Sequence, residues 1–283
     1  MIIDFHTHIF PKEVRQKREA FFTGEPAFKL LYDAANAKLM GVRDLLAAMD
    51  GAGVEKSVVF GFPWNNCDTF RRHNDFVMEA VARFPQRLIG FGCFAIEGKG
   101  APRETERCLS GGLSGIGELA FYQSGIDSEA LKRLDPVMAV CRAQDVPVLI
   151  HTNEPIGHAY PGKTPIRLAQ TYDMIRAFAG NRIVLAHWGG GLFFYGLLKK
   201  EVKESFANVW FDTAASPFLY DPAVYDLACR IVGAEKILFG SDYPLIKPAR
   251  YFKEMETAGL DAGSVEKICG LNAVGLLKLK ITG

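Results

Sequence analysis

Eight short apolar runs, most of them followed by a stretch of helical period, constrain this chain more than any other feature. The runs are Ile2–His6, Ser57–Phe62, Leu88–Phe94, Leu113–Glu118, Val146–His151, Ile183–His187, Val209–Asp212 and Ile237–Ser241. They are nearly continuous in apolar residues, as parallel strands covered on both faces must be. Between them lie amphipathic stripes such as Val42, Leu45, Leu46 and Met49, or Phe70, Val77, Ala80, Val81 and Phe84. Asp135-Pro136 reads as a helix start, and a last helix is expected over Val265–Leu279. Eight strands alternating with helices predict an α/β protein, a (β/α)8 TIM barrel built as a single domain over residues 1–283. An open doubly wound sheet would carry a Gly-rich phosphate loop after the first strand, where this chain has His6-Thr7-His8-Ile9. The segment Phe10–Met40 is long and irregular and reads as an insertion after the first strand.

The formal net charge of +1 marks no nucleic-acid or acidic-membrane binder. The six cysteines form no C-x-x-C pair and sit mostly in apolar stretches, so they read as reduced, buried side chains rather than a disulfide framework. No charged leader precedes the first strand and no apolar run approaches the roughly 20 residues of a membrane span. A soluble, cytoplasmic protein acting on a small molecule is the expectation, with a homo-oligomer left open.

Four of the six histidines, His6, His8, His151 and His187, stand at or just past the end of an expected strand, and Glu118 and Asp242 close or follow such runs too. The carboxyl ends of barrel strands converge on one face, so residues distant in sequence become neighbours there. Residues two apart on a strand point the same way, and His6 and His8 can therefore approach one ion together. Asp4 shares that face on the same reasoning and is expected to accept a hydrogen bond from a ligand imidazole; Asp212, ending the seventh run, is a candidate for the same kind of support. Taken singly each feature is weak: an H-x-H pair is usually not a metal site, and a strand-end His or Glu is usually just a satisfied polar residue. His73 lies on a helical stripe and reads as structural. Six ligand-type residues gathered on one face are another matter, and the expected metal ligands are His6, His8, Glu118, His151, His187 and Asp242.

The pieces Ile3-Asp4-Phe5-His6-Thr7-His8, Val148-Leu149-Ile150-His151, Val184-Leu185-Ala186-His187-Trp188-Gly189-Gly190 and Leu238-Phe239-Gly240-Ser241-Asp242-Tyr243-Pro244 resemble the amidohydrolase superfamily of metal-dependent barrels. The last two pieces, and the ending Ile268-Cys269-Gly270-Leu271-Asn272-Ala273, are similar to its amidohydrolase family 2 branch. That branch holds hydrolases and also decarboxylases like aminocarboxymuconate-semialdehyde decarboxylase. Many two-metal members carry a carboxylated lysine on the fourth strand, whereas Gly115-Ile116-Gly117-Glu118 looks more like the TatD-type nucleases. A carboxylate there points to two ions; the alternative is one ion, with Glu118 behind its ligands or moving a proton.

The resemblance implies a divalent cofactor, zinc in the first place, with manganese, iron and nickel tolerated by the same ligands. It gives the last-strand Asp242 the double role of ligand and base, and His187 that of ligand or carbonyl polariser. The leading expectation is a metal-dependent hydrolase that activates water against a small ester, lactone or amide. The alternative is a metal-dependent decarboxylase or hydratase using the same residues, with Arg71, Arg72, Lys163 and Arg167 as candidate cations for a substrate acid. A TatD-type nuclease or a metal-binding barrel without turnover stands further back, since the loops lack clustered Lys and Arg and no ligand is missing. The expected substrate contacts are Trp64, His158, Tyr160, Lys163, Trp188 and Tyr243, the middle three on a long loop after His151 that reads as a lid, with Phe10 and Phe62 also near the mouth.

Overall fold

A computed structural model describes residues 1–98 and 100–280. Eight strands, β1 (Ile3–His8), β2 (Lys56–Phe60), β3 (Leu88–Gly92), β4 (Gly115–Leu119), β5 (Pro147–Ile150), β6 (Arg182–Leu185), β7 (Val209–Asp212) and β8 (Ile237–Leu238), pair in parallel in sequence order. The ring closes through backbone bonds around β8: Phe5 N–H to Phe239 O (2.7 Å), Asp242 N–H to His6 O (2.9 Å) and His8 N–H to Tyr243 O (2.8 Å). The (β/α)8 barrel expected from the alternating pattern is therefore the fold. No described helix is long and apolar enough to cross a membrane.

The near-continuous apolar runs follow from two-sided burial. One set of strand residues, Ile3, Phe5, Val58, Phe60, Ile89, Phe91, Leu149, Val184 and Leu238, fills the barrel, and Ala273, Val274 and Leu276 of the last helix pack onto it. The alternate set, including Val59, Ile116, Val148, Ile150, Ile183, Leu185 and Phe211, packs outward against the helices.

Three local expectations need correction. The segment after β1 is not irregular: it contains the helices Lys12–Gln16 and Pro26–Tyr32 with a 3-10 turn, Arg18–Phe21, between them. It is locked in place by two polar clamps. The buried Glu25 carboxylate accepts from Asn65 N–H (3.0 Å) and Asn66 N–H (2.8 Å), and the Arg18 guanidinium donates to the carbonyls of Tyr32, Ala34 and Ala37. Asp135-Pro136 starts no helix; Asp127 caps helix Ser128–Ala143 by accepting from Ala130 N–H (2.8 Å), and Pro136 lies inside it. The final helix is interrupted by a π turn at Lys267–Leu271. There the Ile268 carbonyl accepts from Phe239 N–H (2.9 Å), so the motif Ile268–Asn272 serves barrel closure, with the Asn272 amide donating to Ala234 O and Ile237 O.

His73 is buried on helix Cys67–Arg83 and knits that helix to two loops. Its Nε2–H donates to Ile9 O (2.7 Å), and its Nδ1 accepts from Trp64 Nε1–H (2.9 Å). A second ring proton would set two donors face to face, and burial lowers the imidazole from 6.5 to about 4. The folded protein thus refuses a proton that the unfolded chain accepts, so this residue's contribution is complete above pH 6.5 and is lost as pH falls towards 4. We expect urea unfolding of the wild type to lose roughly 3 kcal/mol across that window from this group. His73→Gln should be less stable at neutral pH and lack that component; an unchanged acid slope in the variant would contradict the assignment.

Candidate metal centre

The barrel rim gathers the four strand-end imidazoles and the carboxylates of Glu118 and Asp242. Donor atoms of His6, His8 and Glu118, of His6, His187 and Asp242, and of Glu118, His151 and His187 form three overlapping groups, each within 4.8 Å. β1 runs two residues further than its apolar pattern suggests, so both His6 and His8 are strand residues. His151, His187 and Asp242 lie just beyond β5, β6 and β8. His187 and Asp242 both adopt left-handed backbone, φ 56° each, a cost of about 1–2 kcal/mol per residue. Their N–H groups are anchored, His187 to Asp212 Oδ1 (2.9 Å) and Asp242 to His6 O. Glu118 follows Gly117, where a Cβ would stand 2.3 Å from Leu149 O. Gly190 is equally forced, at 2.3 Å from Asn153 O and φ 61°.

Every imidazole has one nitrogen tied to a fixed acceptor and the other turned to the cluster. His6 Nδ1–H donates to Asp212 Oδ2 (2.8 Å), His8 Nδ1–H to Gly61 O (3.1 Å) and His187 Nδ1–H to Ala214 O (3.0 Å). His151 is reversed: Nε2–H donates to Gly162 O (3.0 Å), and Nδ1 faces Glu118 Oε1 (2.8 Å). For His6, His8 and His187 such outer partners set the tautomer and turn the second nitrogen to the cluster, whereas His151 is bonded to Glu118.

The inward atoms fit a divalent cation. His6 Nε2 is fully buried and has no hydrogen-bond partner. Around it the nitrogen–oxygen separations are long: His6 Nε2 to Glu118 Oε2 3.6 Å and to Asp242 Oδ1 3.7 Å, His8 Nε2 to Asp242 Oδ1 3.4 Å, His187 Nε2 to Glu118 Oε1 3.3 Å. Donors each about 2.0–2.2 Å from a shared ion stand roughly 3–3.5 Å apart, so these distances resemble edges of a coordination shell. The electrostatics agree. Burial works against a charged His6, yet Glu118 and Asp212 hold its pKa well above the ordinary value. Burial likewise opposes a charged Glu118, yet His6 and His151 hold it well below the carboxylate range. His187 is raised to about 9 against the effect of burial, chiefly by Glu118. Protons on these imidazoles balance the carboxylates; a cation would take over that task and release them.

Other expected residues stand elsewhere. The Asp4 carboxylate meets no imidazole: β1 slips register between Asp4 and Thr7, and Asp4 instead accepts from Ser241 N–H (2.9 Å) and Oγ–H (2.5 Å). Trp188 points under the rim, edge-on to Tyr225 and donating to Ser216 Oγ (3.0 Å), because left-handed backbone at 187–191 turns its side chain inward. Trp64 is buried behind the inserted segment against Phe28, 4.3 Å between ring centres. Tyr243 donates to Asp44 O (3.2 Å). On the loop after β5, Glu154 accepts from Tyr160 Oη (2.8 Å) and Lys163 Nζ (2.7 Å), while His158 is exposed beside the Tyr160 ring. Two residues that the strand-end pattern did not mark do face the cluster: Tyr32 from the insertion and Tyr122, four residues past Glu118. Tyr122 lies nearly parallel to His151 (6.3 Å, 25°) and to Phe62 (6.4 Å, 23°).

A family model described as amidohydrolase matches residues 3–279. The chain is 25% identical to a gamma-resorcylate decarboxylase of Rhodococcus jostii over 305 aligned positions, covering 88% of this chain and 91% of that relative. Among solved structures it is similar to 5-carboxyvanillate decarboxylase of Sphingomonas paucimobilis, with a TM-score of 0.79, 20% identity and 99% of each chain covered. A dihydroxybenzoic acid decarboxylase of Polaromonas, bound to manganese and 2-nitroresorcinol, superposes with a TM-score of 0.72 at 20% identity, over 98% of this chain and 97% of that one.

The Asp212 carboxylate offers a direct test of the centre. Its Oδ1 already accepts from His187 N–H and Ala214 N–H (3.0 Å), so in Asp212→Asn the amide oxygen must take that place. The NH2 then faces His6 Nδ1 and forces the other tautomer, with the proton on Nε2. Metal affinity, measured by competition with a chelator, should fall roughly 10- to 100-fold with the fold retained by circular dichroism. Affinity equal to wild type would contradict the assignment of His6 as a ligand.

Proposed function

The chain belongs to the amidohydrolase family, and from that premise we propose that it is a metal-dependent decarboxylase of small aromatic acids. The observation that carries this reading is the aromatic lining beside the cluster: Tyr122 lies nearly parallel to His151 and Phe62, and Tyr32 meets Phe62 edge-on. A planar ring fits a slot lined by the parallel faces of Phe62 and Tyr122. The similarity to decarboxylases of dihydroxybenzoate and carboxyvanillate supports the same reading over ester, lactone or amide hydrolysis.

In this proposal His6, His8, Glu118, His187 and Asp242 hold a divalent cation, manganese by likeness to the Polaromonas relative rather than zinc. A cation held there would supply positive charge that binds and orients the substrate carboxylate. His151 is a sixth donor that reaches the cluster through Glu118 and supports either a second ion or the orientation of Glu118. Asp242 moves the proton. Neighbouring His8, His6 and His187 keep it below the usual carboxylate range despite burial, so it rests ionised and first takes the proton of a substrate hydroxyl, which becomes phenolate. It then delivers that proton to the ring carbon bearing the carboxylate. The bond from that carbon to the carboxylate breaks, its electron pair returns to the ring, and carbon dioxide leaves.

Incubation of manganese-loaded protein with dihydroxybenzoates and carboxyvanillate should release carbon dioxide and the decarboxylated phenol in equal amounts. Asp242→Asn should lower kcat by roughly 100- to 10,000-fold. Hydrolysis of lactones or esters by the same preparation, with no carbon dioxide from any aromatic acid, would overturn the proposal in favour of the hydrolase.

A further inference from the structure

The last two strands diverge just before the cluster, and a tyrosine that no strand pattern marks spans the gap between them. The β7–β8 ladder ends with Thr213 N–H donating to Leu238 O (3.0 Å). Beyond it side chains take over. Thr213 Oγ1–H donates to Gly240 O (2.9 Å), and Thr213 Oγ1 accepts from Gly240 N–H (3.0 Å). Next comes Tyr251, fully buried on helix Ala249–Thr257 and inclined to Phe239 (5.6 Å between ring centres, 69°). Its Oη–H donates to Ser241 O (2.6 Å), and its Oη accepts from Ala215 N–H (3.0 Å). Neither backbone group has another hydrogen-bond partner among the described residues.

Each of the two tied groups adjoins a residue that serves the centre. Ser241 precedes Asp242, and Ala215 follows Ala214, whose carbonyl accepts from His187 Nδ1–H. Both turns hold non-glycine residues in left-handed backbone, φ 55° at Ala215 and φ 56° at Asp242, a conformation that persists only where surrounding bonds over-determine it. Ser241 is held on its other side by Asp4, which accepts from its N–H and Oγ–H, and Ser241 Oγ accepts from Tyr243 N–H (3.1 Å). The Tyr251 hydroxyl thus closes a frame around Asp242 and extends the same constraint to the carbonyl that orients His187. Without it two buried backbone groups would lose their partners, and both turns could relax. A site of this kind tolerates a displacement of only about 0.5 Å in its donor atoms.

We infer that Tyr251 is a positioning residue: its hydroxyl, bonded to Ser241 O and Ala215 N–H, aims Asp242 and His187 at the cluster and so sets the affinity of the centre for a divalent cation without touching it. The inference rests on the cation assigned to the cluster under the proposed function, and not on the substrate.

The test compares manganese affinity, by competition with a chelator, and the electron paramagnetic resonance spectrum of the bound ion. In Tyr251→Phe the affinity should fall roughly 3- to 10-fold, less than for a residue bonded directly to a ligand ring, and the spectrum should change. Asn181→Ala is the control for lost stability. It removes a comparably buried bond, Asn181 Nδ2–H to Met138 O (2.7 Å), at the opposite end of the barrel, just before β6. Its affinity and spectrum should match the wild type. Ser241→Ala frees the same turn from Asp4 and should act in the same direction as Tyr251→Phe, so the test stands if one of the two variants fails to fold. Wild-type affinity and spectrum in the folded members of that pair, or an equal loss in Asn181→Ala, would overturn the inference alone. Wild-type protein that takes up neither manganese nor zinc would overturn the cation reading, and the inference with it.

Discussion

The hydrogen bond between Asp212 and His6 is the interaction on which the rim of this barrel depends. One oxygen of a fully buried carboxylate fixes the His6 ring at 2.8 Å, and the other accepts from His187 N–H and Ala214 N–H. A single side chain of β7 thereby orients the imidazole on β1 and supports the strained backbone after β6. It also leaves His6 Nε2 buried, bare and aimed at Glu118 and Asp242. A lone nitrogen of that kind is costly unless something electron-poor meets it, and the surrounding carboxylates point to a cation.

The remaining imidazoles are held on the same plan with backbone carbonyls in place of the carboxylate. Gly61, Ala214 and Gly162 each take one ring N–H, so, with His6, four rings from three strand ends are fixed with their other nitrogen turned to the cluster. Two of those carbonyls belong to loops whose shape is set elsewhere. The loop after β5 is gathered by Asn153, whose amide oxygen accepts from Thr164 N–H (2.8 Å) and Oγ1–H (2.7 Å). That bond returns Gly162 to His151 and places the Glu154–Tyr160–Lys163 group at the mouth. Preorganisation of this sort places the ordering cost in folding rather than in the binding of metal or substrate.

The inserted segment plays the corresponding part for the substrate. Its helices would be marginal alone, being five and seven residues long. Glu25 holds them to the loop after β2 through bonds to backbone N–H groups, Arg18 ties the segment to itself through its own carbonyls, and Phe10, Phe28, Phe62 and Trp64 supply the apolar contact. The result carries Tyr32 to a position facing a cluster whose members lie as far as 210 residues away in sequence, at Asp242.

Periodicity in the sequence determined the barrel, because strands buried on both faces must be apolar throughout and eight of them alternating with helices close one way. It also determined which polar residues reach the carboxyl rim, since His6, His151, His187, Glu118 and Asp242 each end or follow such a run. Tertiary structure decided what each rim residue touches. The register slip in β1 gave Asp4 to Ser241 and left His6 to Asp212, and left-handed backbone after β6 turned Trp188 away from the slot. Tyr32 carried no strand-end signal at all. Strand pattern reports which face a residue occupies, with a period of two, but a bulge, a left-handed turn or a docked insertion changes direction without changing composition. Those are set by packing between segments distant in the chain, so only the folded molecule could show them.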